Sequence, residues 1–250
     1  MVPWKPRRAN NRAGRSPIGT GARAERVAKY LMLRLDDGRY WVVHLSLEGR
    51  FFHQKRGTAL RPGTLLVAVL DDSHQLVLRD DISYTKTYLL APEDVGDVLK
   101  LHEFGPEPIS RHFSEALLRE RLAGRRGKLK PLLLNQRILA GVGNIYADEA
   151  LWRAKLHPER KANALSDADW HALYRALVDV LTEGIANRGT TAPRGRYRDL
   201  FGRKGRHQEA LSVFRRAGEP CPRCGSAIAQ SLVGSRPTFV CPHCQQEAAT

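Results

Sequence analysis

Leu129-Lys-Pro-Leu-Leu-Leu-Asn-Gln-Arg-Ile-Leu-Ala-Gly-Val-Gly-Asn-Ile-Tyr-Ala-Asp-Glu-Ala150 reads as two helices joined by a glycine turn. Pro131 suits the first turn of the first helix, where a missing N–H is no loss, and the spacing carries that helix to Ala140 before Gly141 stops it. A second helix follows Gly143-Asn144 and gathers Ala147, Ala150 and Leu151 on one face. Outward from this core the helical signals continue. Pro92–Leu101 has helical spacing, Ser110 is a plausible N-cap for a helix through Leu122 that Gly124 ends, and Ser166 with Asp169 opens a capped helix reaching about Ala186. Together they make an all-α domain of about four helices.

Upstream the period changes from helical to alternating. Tyr30–Leu35, the Asp36-Asp37-Gly38 turn and Tyr40–Leu45 form a hairpin signal, continued by Leu65–Leu70, Leu76–Leu78 and Tyr84–Leu90. A small antiparallel β domain therefore covers roughly 29–91. Residues 1–28 mix Pro, Gly, Asn and Arg without a period and read as a basic flexible arm. Residues 188–209 are again polar and basic, with Arg188, Arg194, Arg196, Arg198, Arg203, Lys204 and Arg206 against Asp199 and Glu209, and read as a linker.

Downstream, Cys221-Pro-Arg-Cys224 and Cys241-Pro-His-Cys244 hold all 4 cysteines of the chain. Two such knuckles supply the tetrahedral thiolate shell that Zn²⁺ prefers, and four sulfurs leave no open position, so one structural zinc ion is expected to fold the segment rather than catalyse. Between the pairs, Ile228–Val233 and Pro237–Val240 can form a hairpin whose turn carries Gly234, Ser235 and Arg236. Grouped cysteines of this kind point to a metal in an intracellular compartment rather than to a disulfide framework.

The chain of 250 residues carries 41 Lys+Arg against 26 Asp+Glu, a formal net charge of +15. That excess implies a polyanionic partner, nucleic acid first, because each cation set on a phosphate releases condensed counterions. The longest apolar runs fall far short of the roughly 20 residues that cross a bilayer, and no amphipathic stretch of the membrane-surface kind is present, so no membrane partner is expected.

The 129–150 stretch followed by His157-Pro158, the segment Leu101-His-Glu-Phe-Gly-Pro-Glu-Pro108, and the four-Cys ribbon ending Cys244-Gln245 resemble the formamidopyrimidine-DNA glycosylase and endonuclease VIII family. The resemblance covers roughly residues 29–246 and is most specific from 101 onward. It implies an α+β multidomain fold: an N-terminal antiparallel β-sandwich shortened at its start (29–100), a helix-two-turns-helix DNA-binding domain with a basic linker (101–209), and a C-terminal β-hairpin zinc finger (210–250). It implies base-excision repair of damaged double-stranded DNA, in which an oxidised base is everted, its glycosidic bond broken and the strand nicked; eversion is required because C1′ is shielded in a stacked duplex. A monomer in the cytoplasm, associated with the nucleoid, fits a clamp around one duplex.

Residue by residue, the resemblance matches Asn144 to the asparagine that holds phosphates flanking the lesion, with Gly141 and Gly143 letting main-chain N–H groups approach a phosphate. Arg126 and Lys130 match basic positions that contact the backbone. Arg236 matches the zinc-finger arginine assigned to phosphate contact and the final elimination step, and Lys29 the hairpin lysine that assists catalysis. Glu149 matches a glutamate read as architectural. Leu47 stands at the wedge position where the family has Met, and Ile82 and Tyr84 stand where it has Arg and Phe to fill the hole left by the everted base. Apolar and aromatic groups can still fill that void.

The family's N-terminal Pro-Glu, whose secondary amine attacks C1′, has no counterpart in Met1-Val2-Pro3-Trp4, with only 28 residues before Lys29. The nucleophile is left unassigned. Two readings follow: a glycosylase and AP lyase whose start lies upstream or whose chemistry uses another amine such as Lys29, or a catalytically silent relative that binds damaged DNA. A zinc-ribbon RNA-binding or transcription factor needs only charge and ribbon, and leaves 129–150 unexplained.

Overall fold

The computed structural model describes residues 23–70, 73–191 and 197–247, and the chain divides into two compact units. One comprises Met1–His102 with Thr191–Gly205, the other Glu103–Thr190 with Arg206–Thr250.

The first unit is an antiparallel β-sandwich. Strands β1 (Ala24–Val27), β2 (Tyr30–Arg34), β3 (Tyr40–His44) and β7 (Lys86–Leu90) form one sheet in the order β1-β2-β3-β7. Strands β4 (Arg50–Lys55), β5 (Thr64–Val69) and β6 (His74–Arg79) form the other in the order β4-β6-β5. Alternate residues of both sheets, including Trp41, Val43, Phe51, Ala68, Leu76 and Leu78, meet in one core. Helix α1 (Pro92–Leu99) covers the outer face of the first sheet by packing Val95 and Leu99 on Met32, Val42 and Leu90.

Three boundaries differ from the sequence reading. Of the expected basic arm, residues 1–22 lie outside the described residues, but Ala24–Val27 is an edge strand paired with β2 through a two-residue turn at Ala28-Lys29. Its charged Glu25 and Arg26 hide an alternation too short to register. Strand β4 carries no sequence signal for a similar reason: in Arg-Phe-Phe-His-Gln-Lys only Phe51 faces the core, so no apolar period emerges. The described part of the expected linker joins the β unit instead: His53 N–H donates to the Leu200 carbonyl at 2.8 Å, and Thr191 Oγ1 donates to Tyr197 O while accepting Gly205 N–H at 3.0 Å.

The second unit holds helices α2 (Glu115–Leu122), α3 (Leu129–Leu134), α4 (Asn144–Arg153) and α5 (Asp167–Ala186). Leu118, Leu122, Leu129, Leu133, Ala147, Ala150, Leu151, Leu173 and Leu177 are fully buried together. Ser166 and Asp169 form the expected capping box. The cap of α2 is Ser114 rather than Ser110, whose hydroxyl accepts His112 N–H in the preceding turn. Helix α3 stops at Leu134, not Ala140, because Asn135 turns extended and its side chain accepts Arg137 N–H. Residues 135–143 are therefore turns. Strands β8 (Ala229–Val233) and β9 (Arg236–Val240) form the C-terminal hairpin, closed by Gly234 and Ser235, both at positive φ, so Arg236 begins β9 rather than lying in the turn.

Candidate nucleic-acid interface

The turn between α3 and α4 is held from within by one side chain. Gln136 Nε2 donates to the carbonyls of Leu134 and Val142, and Gln136 Oε1 accepts Gly141 N–H at 2.9 Å. Gly141 sits at φ +87°, open only to glycine at low cost. The Phe104–Pro108 segment is pressed against this turn: Gly105 N–H donates to Gln136 O at 2.9 Å, Ala140 N–H to Pro106 O at 3.1 Å, and a Cβ on Gly105 would stand 2.1 Å from Ile138 O.

Helix α4 then starts with no side-chain cap, since its N-cap is Gly143. Its first-turn N–H groups and the positive end of its dipole form an anion-ready terminus. Asn144 is the first helical residue, and its Nδ2 donates to the Pro237 carbonyl of β9 at 3.0 Å. An amide nitrogen carries two hydrogens, so one remains for an outside acceptor. Arg236, the neighbour of Pro237, is exposed at the tip of the hairpin. Asn144 and Pro237 border a cavity of about 440 Å³ whose wall also includes Arg215. Arg215 is exposed and was not among the expected site residues; the Phe214-Arg215-Arg216 run is the signal that could have found it.

Lys130 departs from its expected place. It is 0 % exposed, with Nζ 2.6 Å from Asp148 Oδ1 and donating to Pro237 O and Thr238 Oγ1 at 2.8 Å each, so its ammonium cannot touch a phosphate from this position. An isolated buried charge is costly, and three acceptors around three N–H donors are what keep it there. Burial lowers the Lys130 pKa and raises that of Asp148 to about 7, against their mutual attraction. Arg126 does lie exposed, on the loop between α2 and α3.

Glu149 has the expected architectural place but an unexpected kind of partner. Its carboxylate accepts the main-chain N–H groups of Ser212, Val213 and Phe214 at 2.8–2.9 Å, which ties the entry of the ribbon to α4. The same face of α4 completes the join, with Ile145 and Trp152, one turn before and one turn after Glu149, packed on the ribbon core around Phe214, Ile228 and Phe239.

The four cysteine sulfurs lie within 4.8 Å of one another, Cys224 Sγ being 3.5 Å from Cys241 and Cys221 Sγ 4.0 Å from Cys244. A tetrahedron with Zn–S bonds of about 2.3 Å has edges of about 3.8 Å, so the donor set fits zinc. Burial opposes ionisation of Cys221, but the Arg223 N–H and the Trp152 indole N–H, 3.4 Å from its sulfur, bring its pKa down to about 6. Arg223 lies over the Trp152 ring at 4.1 Å and fixes the indole from the other side.

In the β unit, Leu47 is 75 % exposed, Tyr84 61 % and Ile82 41 %. The structure brings their two loops together: Ser46 Oγ donates to Tyr84 O at 2.8 Å and Thr85 Oγ1 to Leu45 O. Asp80 shapes the second loop by accepting Ile82 N–H at 2.9 Å and Thr85 N–H at 2.7 Å. Lys29 is exposed on the β1–β2 turn, presented by Ala28 at φ +52°. Burial lowers the His44 pKa, and the charges of Lys29 and Lys86 lower it further.

Comparison with known proteins covers each of these regions. Residues 18–85 match the formamidopyrimidine-DNA glycosylase N-terminal domain, 104–194 the formamidopyrimidine-DNA glycosylase H2TH domain, and 218–246 the zinc finger found in FPG and IleRS. The formamidopyrimidine-DNA glycosylase of Chloroflexus aggregans is 39% identical over 98% of this chain and 86% of its own length. That of Symbiobacterium thermophilum is 43% identical over 88% of this chain and 72% of its own length. Among solved structures, Lactococcus lactis Fpg in complex with abasic-site DNA superposes with a TM-score of 0.82 at 32% identity, covering 90% of this chain and 81% of that one. The MutM (Fpg) protein of Thermus thermophilus gives 0.82 at 36% identity, covering 92% and 85%.

Proposed function

Because the chain belongs to the formamidopyrimidine-DNA glycosylase family, it is a base-excision-repair DNA N-glycosylase with AP lyase activity, and we propose that it grips the backbone of damaged double-stranded DNA through Asn144, Arg236 and Arg126. The observation that carries this reading is the meeting of an uncapped helix N-terminus, the Asn144 amide and the Arg236 strand at one carbonyl, that of Pro237. Amide and guanidinium donors arranged this way suit phosphate oxygens, which position the enzyme without reading sequence. The Gly141–Gly143 turn allows the close main-chain approach. The zinc ion stays with the ribbon: four thiolates hold it, and it supplies folding rather than chemistry.

In this reading Leu47, Ile82 and Tyr84 enter the space vacated by the everted base, since they combine high exposure with loops that are braced against each other. The family reaction has an amine attack C1′, expel the base and form a Schiff base, after which β and δ elimination break the strand. Lys29, on its hairpin tip, assists this chemistry, and Arg236 the final elimination. The N-terminal amine lies outside the described residues. Among those residues no helix is long and apolar enough to cross a membrane. A monomer acting on the nucleoid in the cytoplasm accords with one clamp on one duplex; light scattering of the protein with a short duplex should give a one-to-one complex.

Borohydride trapping on an abasic-site duplex tests the enzyme reading directly. A covalent adduct is expected, and peptide mapping then assigns the amine to Lys29 or to residues 1–22. Tight binding with no adduct in any condition would support the silent relative instead.

A further inference from the structure

We propose that the buried Lys130–Asp148 pair is a positioning device, which seats strand β9 on the α3–α4 motif so that Arg236 and Asn144 address the same stretch of backbone. This rests on the phosphate-grip reading above and adds the residues that set its geometry. The pair holds three consecutive residues of β9: Lys130 Nζ donates to Pro237 O and to Thr238 Oγ1, and Asp148 Oδ2 accepts Phe239 N–H at 3.2 Å. Two relays lead outward from it. Pro237 O also accepts from Asn144, and Thr238 Oγ1 donates to the carbonyl of Arg236 itself at 3.0 Å.

Stability alone does not account for such a pair. Both side chains are 0 % exposed, and taking two charges out of water costs about as much as their attraction returns; apolar replacements of similar volume are often neutral or stabilising. What an apolar pair lacks is direction. A two-stranded hairpin is marginal by itself, and hydrophobic contact would let β9 slide or rotate on α4 by fractions of an ångström, whereas five hydrogen-bonded groups do not. The tip residue Arg236 amplifies any such movement.

The test uses the zinc-loaded full chain and an abasic-site duplex. The double variant Lys130→Met with Asp148→Leu leaves no unpaired charge. It should retain one zinc per chain and its melting temperature, yet bind the duplex about tenfold more weakly. In an Arg236→Ala background the same double change should add less than about twofold, because its effect runs through Arg236. Wild-type affinity in the folded double variant, or full additivity with Arg236→Ala, overturns the proposal. Thr238→Val, nearly isosteric, tests the relay if the double variant fails to fold: affinity should fall about threefold with zinc retained, and an unchanged value overturns it. If Asn144→Ala and Arg236→Ala each leave the affinity unchanged, the phosphate-grip reading fails and this one with it; if they weaken binding while the folded double variant does not, only this one fails.

Discussion

Glu149 shows how a single side chain organises the joint between helix and ribbon. Its three N–H donors come from consecutive residues that would otherwise be buried without partners, and hydrogen bonds to a charged group contribute about 1.5–3 kcal/mol. Glu149→Gln should therefore lower the unfolding free energy by about that amount in urea titrations; a change below about 0.5 kcal/mol would mean the ribbon entry holds itself. Asp80 makes a prediction in pH. Burial raises its pKa, but the donors Ile82, Thr85 and Tyr84 outweigh burial and leave it below the ordinary value. A carboxyl whose folded pKa is depressed adds stability above its unfolded pKa, and that stability is lost as the pH falls through the folded value. Asp80→Asn should thus melt lower than the parent at pH 7, and the difference should close below about pH 4. A pH-independent difference would place the effect in shape rather than charge.

Among the elements, α5 is the one most nearly dictated by its own residues. Its capping box is reciprocal, Ser166 Oγ accepting Asp169 N–H while Asp169 accepts Ser166 N–H, and Arg160 adds an ion pair to Asp169 at 2.7 Å. Ser166→Ala should cost about 1 kcal/mol by thermal melting, and no cost would show that tertiary packing alone starts the helix. Helix α3 is the opposite case. Its apolar run suggests a longer helix, yet the Asn135 side chain offers the backbone a competing bond and Gln136 closes the turn, leaving the room that Gly105 occupies. Gly105→Ala forces a Cβ into the Ile138 carbonyl and should destabilise the fold by about 1–3 kcal/mol while weakening DNA binding.

At the scale of the whole molecule, charge and zinc decide behaviour. A net charge of +15 on a DNA-binding enzyme predicts that log affinity falls linearly with log salt, by about 0.9 per phosphate contact; if Arg236 is one of those contacts, Arg236→Ala should shallow the slope by about 1. A slope unaltered by that variant would remove Arg236 from the backbone contacts. Cys224→Ser should reduce both zinc content and DNA affinity, since a ribbon without its metal cannot hold β9 in place; metal loss with undiminished affinity would separate the two. Thr191–Gly205 groups with the β unit, although its polar, basic sequence looks like a linker, and among its described residues the Leu200 carbonyl accepts a main-chain N–H of β4.

The zinc ligands, the α5 cap, the hairpins around Gly38 and Gly234, and the glycine turn before Asn144 are legible in the chain because each depends on residues a few positions apart or, for zinc, on two such pairs within one short segment. Their chemistry is local: thiolates on a tight turn, a hydroxyl facing its own helix, a backbone that needs positive φ. The burial of Lys130 was not legible, since its partner Pro237 lies 107 residues away and a lysine in sequence looks the same whether solvated or enclosed. Nor was the meeting of the Leu47 and Tyr84 loops, nor the three N–H groups gathered by Glu149. Only tertiary folding decides which distant groups share a dry site, and there the cost of an unsatisfied charge or N–H, rather than any local preference, selects the partner.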